Sequence, residues 1–166
     1  MDDFGVTGAT TGAEVLLTLP VETVWTGITA IDRYGEWSPE CYYGAWLDGA
    51  EAVAAGARFE ARNRFRDGLE TYVTCVVTVA DEPWRFGWDV YGDEELPFAH
   101  WEYQLEAQGA TTLVKQRFTH GPGDSGMREG VRLHSDRAAE LIQGRLDQLS
   151  ANMRTTLLAM QTTLGG

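Results

Sequence analysis

The sequence predicts an α+β domain in which an antiparallel meander is closed over by one long carboxy-terminal helix. Three observations carry this. Five strand-like stretches, at 57–66, 69–80, 84–91, 97–107 and 111–121, are separated only by turn residues, and connections that short permit hairpins but no parallel crossover. From Met127 through Val131, Ala138, Ile142, Leu149, Met153 and Leu157 to Leu164, apolar residues recur at helical spacing. A meander has an apolar face to bury, and this helix is the only element large enough to cover it.

The elements follow in order. Residues 1–12, acidic and rich in Gly and Thr, read as a flexible lead-in, leaving 13–166 as a single domain. AEVLLTLP (13–20) reads as a strand stopped by Pro20. Pro20 then opens a helix from Val21 to about Tyr34, with Val21, Val24, Trp25, Ile28 and Ile31 at intervals of three and four and Glu22 near its amino end. Asp67-Gly68, Asp81-Glu82-Pro83, Gly92-Asp93 with Pro97, and Gly109 punctuate the meander. Gly130 and His134-Ser135-Asp136 favour an early break in the last segment, with the principal helix starting near 136.

Strand alternation then divides inside from outside. Phe59, Ala61, Asn63 and Phe65 share a face opposed by Arg58, Glu60, Arg62, Arg64 and Arg66. Leu69, Thr71, Val73, Cys75, Val77 and Val79 form the next inner face, followed by Trp84, Phe86, Trp88 and Val90. Ala99, Trp101, Tyr103 and Leu105 point inward and His100 outward. In the last strand Thr112, Val114, Gln116, Phe118 and His120 share the inner face. An inward polar group without a partner costs about 1 to 3 kcal/mol. Asn63, Thr71, Gln116 and His120 must therefore be paired, hydrated or facing a ligand. Any one of them is ordinarily satisfied by backbone or water, but the set favours a lined pocket.

Composition excludes several function classes. Thirteen Lys and Arg against twenty-five Asp and Glu give a charge of −12, which repels phosphate backbones and anionic lipid, so neither nucleic acid nor membrane insertion is expected. No apolar run reaches the length of a membrane span, and the acidic start is unlike a signal peptide, so a cytoplasmic protein is expected. Two cysteines, Cys41 and Cys75, read as reduced thiols. No phosphate loop, dinucleotide glycine pattern, GxSxG, HExxH or CxxC occurs, and Asp93-Glu94-Glu95 reads as a solvated acidic turn, so no metal site or cofactor is expected. Six Trp, six Tyr and six Phe exceed what a minimal core requires and suit the wall of an apolar pocket. His134, near the start of the final helical segment, can meet His120 at one end of that pocket, and paired imidazoles are candidates for proton transfer. The plainer alternative for His134 is a surface residue at a helix end.

LPVETVWTGITAIDRYGEWSPE, PWRFGWDVYG, FAHWEYQLEAQGATTLVKQRFTHGPG and RLDQLSANMRTTLLAMQ, in this order, resemble the START-like helix-grip (SRPBCC) superfamily and, within it, the bacterial polyketide cyclase/dehydrase and lipid-transport family. The resemblance spans roughly residues 13 to 163. It implies a seven-stranded antiparallel sheet curved around the carboxy-terminal helix, two short helices between the first two strands with the second near Gly35 to Pro39, and a deep apolar cavity. Aromatase/cyclase relatives place an arginine and hydroxyl groups inside that cavity. Here the arginines of 58–66 alternate outward, and the following strand offers Thr71, Val73 and Cys75.

The expected function is binding of a hydrophobic, aromatic or polyketide-derived molecule, with cofactor-free cyclisation and dehydration by general acid and base chemistry. His120, His134 and Tyr43 are the candidate catalytic groups. Trp37, Trp46, Asn63, Phe65, Thr71, Phe86, Trp88, Trp101, Tyr103, Gln116, Phe118 and Ile142 are the candidate contacts. Trp37 and Pro39 read as a lid corner, and either Tyr43 or its neighbours Tyr42 and Trp46 should face inward, with the register open. The chain is expected to act as a monomer or homodimer. A non-catalytic lipid or metabolite carrier or sensor is the first alternative. A protein-interaction module of the chaperone-activator type, using the outward arginine row, is the second.

Overall fold

The computed structural model describes residues 3–51 and 53–165. Seven strands form one antiparallel sheet: β1 (Thr10–Leu17), β2 (Cys41–Trp46), β3 (Arg58–Arg64), β4 (Glu70–Asp81), β5 (Arg85–Tyr91), β6 (Ala99–Gln108) and β7 (Thr111–His120). Their spatial order is β1-β7-β6-β5-β4-β3-β2, so β2 to β7 form the meander and β1 closes onto its end. Between β1 and β2 lie α1 (Val21–Thr29) and a 3-10 turn, Ile31–Glu36. After β7 come α2 (Gly126–Leu133), a 3-10 turn at Ser135–Arg137, and α3 (Ala138–Gly165).

Several details differ from expectation for local reasons. β1 starts at Thr10, because β7 runs on to His120 and pairs Thr119 with Thr10. The segment before it is tied down: Val6 is fully buried, the Gly8 N–H donates to the His120 carbonyl, and the His120 N–H donates to that of Ala9, both at 2.8 Å. Met1 and Asp2 lie outside the described residues. The helix expected to reach Tyr34 ends at Thr29, since Ala30 leaves helical geometry (φ −80°, ψ 72°), and the chain resumes as the 3-10 turn. That turn is the second short helix, a few residues earlier than expected. Trp84 precedes β5 and is exposed.

Two bulges change which side chains face inward. In β4 a register shift between Val77 and Val79 sets Ala80, not Val79, opposite the buried Phe86. In β2 a shift between Cys41 and Tyr43 leaves Gly44 opposite Ala61, Trp46 opposite Phe59 and Cys41 opposite Asn63. Tyr42 and Tyr43 consequently both face out, over the guanidiniums of Arg64 and Arg62. Gly44 has a steric reason: a Cβ there would collide with the Ile31 carbonyl of the 3-10 turn packed on it.

The helix break falls at His134, which ends α2 with its backbone outside helical geometry. α3 packs chiefly on β1, where the Ser150 hydroxyl donates to the Gly12 carbonyl at 2.9 Å. Leu149, Met153, Leu157 and Met160 are its buried stripe. Since α3 lies over the β1 side of the sheet, the other strands curve around a space that the helix does not fill. Among the described residues, no helix is long and apolar enough to cross a membrane.

Candidate functional site

The unfilled space is a cavity of about 1350 Å³ between the sheet, α2 and α3. One wall is aromatic. Trp88, Trp101 and Phe118 stand opposite one another across β5, β6 and β7, with Trp88 and Trp101 stacked at 6.4 Å and Trp101 and Phe118 edge-on at 5.1 Å. Phe59 joins Trp88 at 5.7 Å. This belt follows from strict alternation on three strands whose register has no bulge.

The deep end is polar. The Tyr34 hydroxyl donates to the Ile28 carbonyl and lies 3.3 Å from the Tyr103 hydroxyl. Having spent its proton on the carbonyl, Tyr34 is the acceptor of that pair. Gln116 stands opposite Tyr103 in the β6–β7 register, and its side chain pulls the Tyr103 phenol down against the rise from burial. Burial pushes the Tyr103 phenol up to about 12 and that of Tyr34 well above its ordinary value, so both are hydroxyls and not phenolates. The row ends on Gln116 Oε1, a buried acceptor with no partner among the described residues, in a side chain only 7% exposed. Asn63 and Thr71 are bonded to each other at 3.4 Å on the same wall. Burial raises the thiols of Cys41 and Cys75, which are free cysteines lining the cavity, so neither is poised as a thiolate.

His120 is buried where β7 ends. Its Nδ1 lies 2.7 Å from the Gly121 carbonyl, an acceptor, so Nδ1 carries the proton. Nε2 then accepts from the Ser125 hydroxyl at 2.6 Å. Ser125 Oγ also accepts the Arg128 N–H at 3.1 Å as the amino-terminal cap of α2. Desolvation, with the nearby Arg128 charge, holds the imidazole below its usual value, against the opposing pulls of the Gly121 hydrogen bond and Asp3. Neutral His120 therefore favours folding. The unfolded chain takes up its proton first, so this stability is present above the unfolded value of about 6.5 and is lost as the pH falls through the lower folded value. Urea midpoints should fall from neutral pH toward pH ~5, above the main carboxylate range, and His120→Gln should flatten that slope. An unchanged slope in the variant would assign it elsewhere.

Sequence candidates divide clearly. Asn63, Phe65, Thr71, Trp88, Trp101, Tyr103, Gln116, Phe118 and His120 line the cavity. Tyr43 does not, because of the β2 bulge. His134 is exposed at the end of α2 and is not brought to His120. Trp37 is buried away from the cavity, its indole N–H donating to Thr163 Oγ1 at 3.2 Å, so it pins the 3-10 turn to the end of α3. Trp46 packs edge-on against Phe59 at 5.4 Å, behind the lining. Phe86 is fully buried against Trp25 of α1. Ile142 is buried but sits one residue, about 100°, round α3 from the cavity stripe of Leu141, Arg145, Gln148 and Asn152.

Sequence reasoning missed Ser125, Arg145 and Glu40. Ser125 carried a findable signal, a serine just before a helical segment. Arg145 does reach the cavity, but from α3: its guanidinium makes a two-pronged pair with Glu40 at 2.7 and 2.9 Å and lies over the Phe65 ring. Of the outward arginines, Arg58, Arg62 and Arg64 pair with Asp48, Glu60 and Glu70. Arg66 stands at the cavity mouth with Asp93, Glu94, Asp124 and Glu129. Among the described residues, no cluster of three or more His, Cys, Asp or Glu could hold a metal ion.

A curved antiparallel sheet gripping a terminal helix around an aromatic-walled cavity defines a helix-grip protein. The chain belongs to the polyketide cyclase / dehydrase and lipid transport family, whose profile matches residues 9–157. Among solved structures it is similar to the Polyketide_cyc-like protein Cgl2372 from Corynebacterium glutamicum, at 26% identity over 96% of this chain and 93% of that one, with a TM-score of 0.66. The Zhui aromatase/cyclase from Streptomyces sp. R1128 shares the fold at 13% identity, over 94% and 93% of the two chains, with a TM-score of 0.69. So does the di-domain ARO/CYC StfQ of the steffimycin biosynthetic pathway, at 13% identity over 94% of this chain and 50% of that one, with a TM-score of 0.73. No curated protein sequence matches the chain.

Proposed function

We propose that the protein binds a hydrophobic, multi-ring or polyketide-derived molecule and acts on it as a cofactor-free cyclase/dehydrase. One observation carries the reading: an aromatic-walled cavity of about 1350 Å³ ends on a buried acceptor, Gln116 Oε1, that nothing among the described residues satisfies. Such an acceptor costs about 1 to 3 kcal/mol until a donor arrives. The matching ligand places a phenol or enol hydroxyl at the deep end and its rings against Trp88, Trp101 and Phe118. The unpaired Oε1 calls for a hydrogen-bond donor.

The acid and base are His120 and Ser125. Both imidazole nitrogens are engaged, so His120 reaches a ligand only through the Ser125 hydroxyl. Serine can take a proton from an acidic carbon between carbonyls as its own passes to Nε2, and the reverse transfer protonates the alkoxide formed on ring closure. The cavity supplies the folded, near-attack shape.

The engagement of both nitrogens also favours a carrier, which needs no proton transfer. Incubation with poly-β-ketone thioester analogues separates the two readings: a carrier returns them unchanged. The binding mode itself is tested by 2-naphthol and its methyl ether. The wild type should prefer the naphthol by about tenfold, the worth of one buried hydrogen bond. Gln116→Leu should lose the preference without loss of stability. Equal affinities in the wild type, read by tryptophan quenching, would count against this ligand orientation.

A further inference from the structure

We propose that Ser125 is a covalent nucleophile, with His120 as its base, for acyl transfer from uncharged esters or thioesters whose apolar acyl group occupies the cavity. This rests on the reading that the cavity takes an apolar ligand, and adds to it a reaction that cyclisation does not require.

The geometry is that of an activated serine. Ser125 Oγ lies 2.6 Å from Nε2, and the Gly121 carbonyl on Nδ1 fixes the tautomer in which Nε2 is the acceptor. Burial keeps the ring neutral, as a base must be. Both residues line the cavity.

The loop carrying Ser125 is held in place. The Gly121 and Gly123 N–H groups donate to Phe98 and Pro97 carbonyls at 2.9 Å, an approach so close that a Cβ at either glycine would strike the 96–97 backbone. Arg128 staples the same loop, donating to the Gly123 and Gly121 carbonyls at 3.2 and 3.1 Å, to Thr7 Oγ1 at 2.8 Å and to Asp3. Five residues after His120, the hydroxyl is thus preorganised on the imidazole. At the adjoining Gly126 the space is open, with nothing within 4 Å of where a Cβ would stand. Ser125 caps α2 and its Oγ takes the Arg128 N–H, so the N–H groups of Gly126 and Met127, next to it in sequence, are the candidate donors to an oxyanion. At the same opening Asp124 and Glu129 are paired with Arg128 and Arg132, and Asp93 and Glu94 outweigh Arg66, so the mouth stays net negative and disfavours anionic substrates.

In the reaction, Oγ bonds to the carbonyl carbon as its proton moves to Nε2. The tetrahedral intermediate then collapses: the bond to the leaving oxygen or sulfur breaks, and the Nε2 proton passes to the departing alcohol or thiol. Water adds to the acyl-serine, giving its proton to Nε2. The carboxylic acid departs as Oγ recovers that proton. Ester and water become acid and alcohol, with no change of oxidation state.

The test uses the full chain and an alkyl fluorophosphonate, read by intact mass and peptide mapping. One adduct should form, on Ser125. It should be absent in Ser125→Asn, which keeps a capping side chain on α2, and form at least tenfold more slowly in His120→Gln. p-Nitrophenyl butyrate should release a burst of one equivalent of nitrophenol. No adduct, or an adduct elsewhere, in folded protein that still binds 2-naphthol overturns the proposal and leaves the cavity reading standing. Failure to bind any naphthol overturns the cavity reading separately.

Discussion

Leu157→Ala is expected to lower the unfolding free energy by about 4 kcal/mol, and Leu149→Ala by only about 2 kcal/mol. Both leucines are on α3 and both are buried, at 0% and 4% exposure, so area bookkeeping predicts nearly equal costs. They differ in what surrounds them. Leu157 is enclosed by packed core, and truncation there leaves a void whose lining loses its dispersion partners. Leu149 already lines the cavity, so truncation enlarges a space that exists. Urea unfolding of the two variants decides whether the cavity is open in solution. Equal costs would mean that it has collapsed.

Arg145→Met is expected to cost about 2 kcal/mol, with Glu40→Gln/Arg145→Met recovering much of the loss. The pair bridges α3 to the start of β2, 105 residues apart in sequence, and the Glu40 carboxyl is only 17% exposed. Removing the guanidinium strands that charge in a poorly hydrated place and frees the Phe65 ring. Because the bridge spans cavity-lining residues, hydrogen exchange in β2 should rise in the single variant. If the double variant is no more stable than the single one, the pair is not a coupled unit.

What was legible follows from periodicity. Every residue expected on the inner face of β7, from Thr112 to His120, is buried, because ten consecutive residues alternate without a bulge and end at a glycine. The aromatic belt followed from the same rule on β5 and β6. Bulges are silent in a sequence read two residues at a time: one at Val77/Val79 exchanged Val79 for Ala80, and one at Cys41/Tyr43 turned both tyrosines outward. Helix faces carried a similar error, since Ile142 and Leu141 both lie on an apolar stripe and only the tilt of α3 decides which meets the cavity.

The α+β class, the meander, the break near His134 and the inward placement of Gln116 and His120 could all be read from residue order, because they depend on local spacing and turn chemistry. The partners came only with the three-dimensional fold. It set Tyr34 against Tyr103, Arg145 against Glu40 and Ser125 on His120, left Gln116 Oε1 without one, and sent His134 to solvent. Hydrogen bonds are made over about 3 Å, a distance that chain spacing does not encode, and each of these groups gained its chemistry from whichever neighbour the curved sheet delivered.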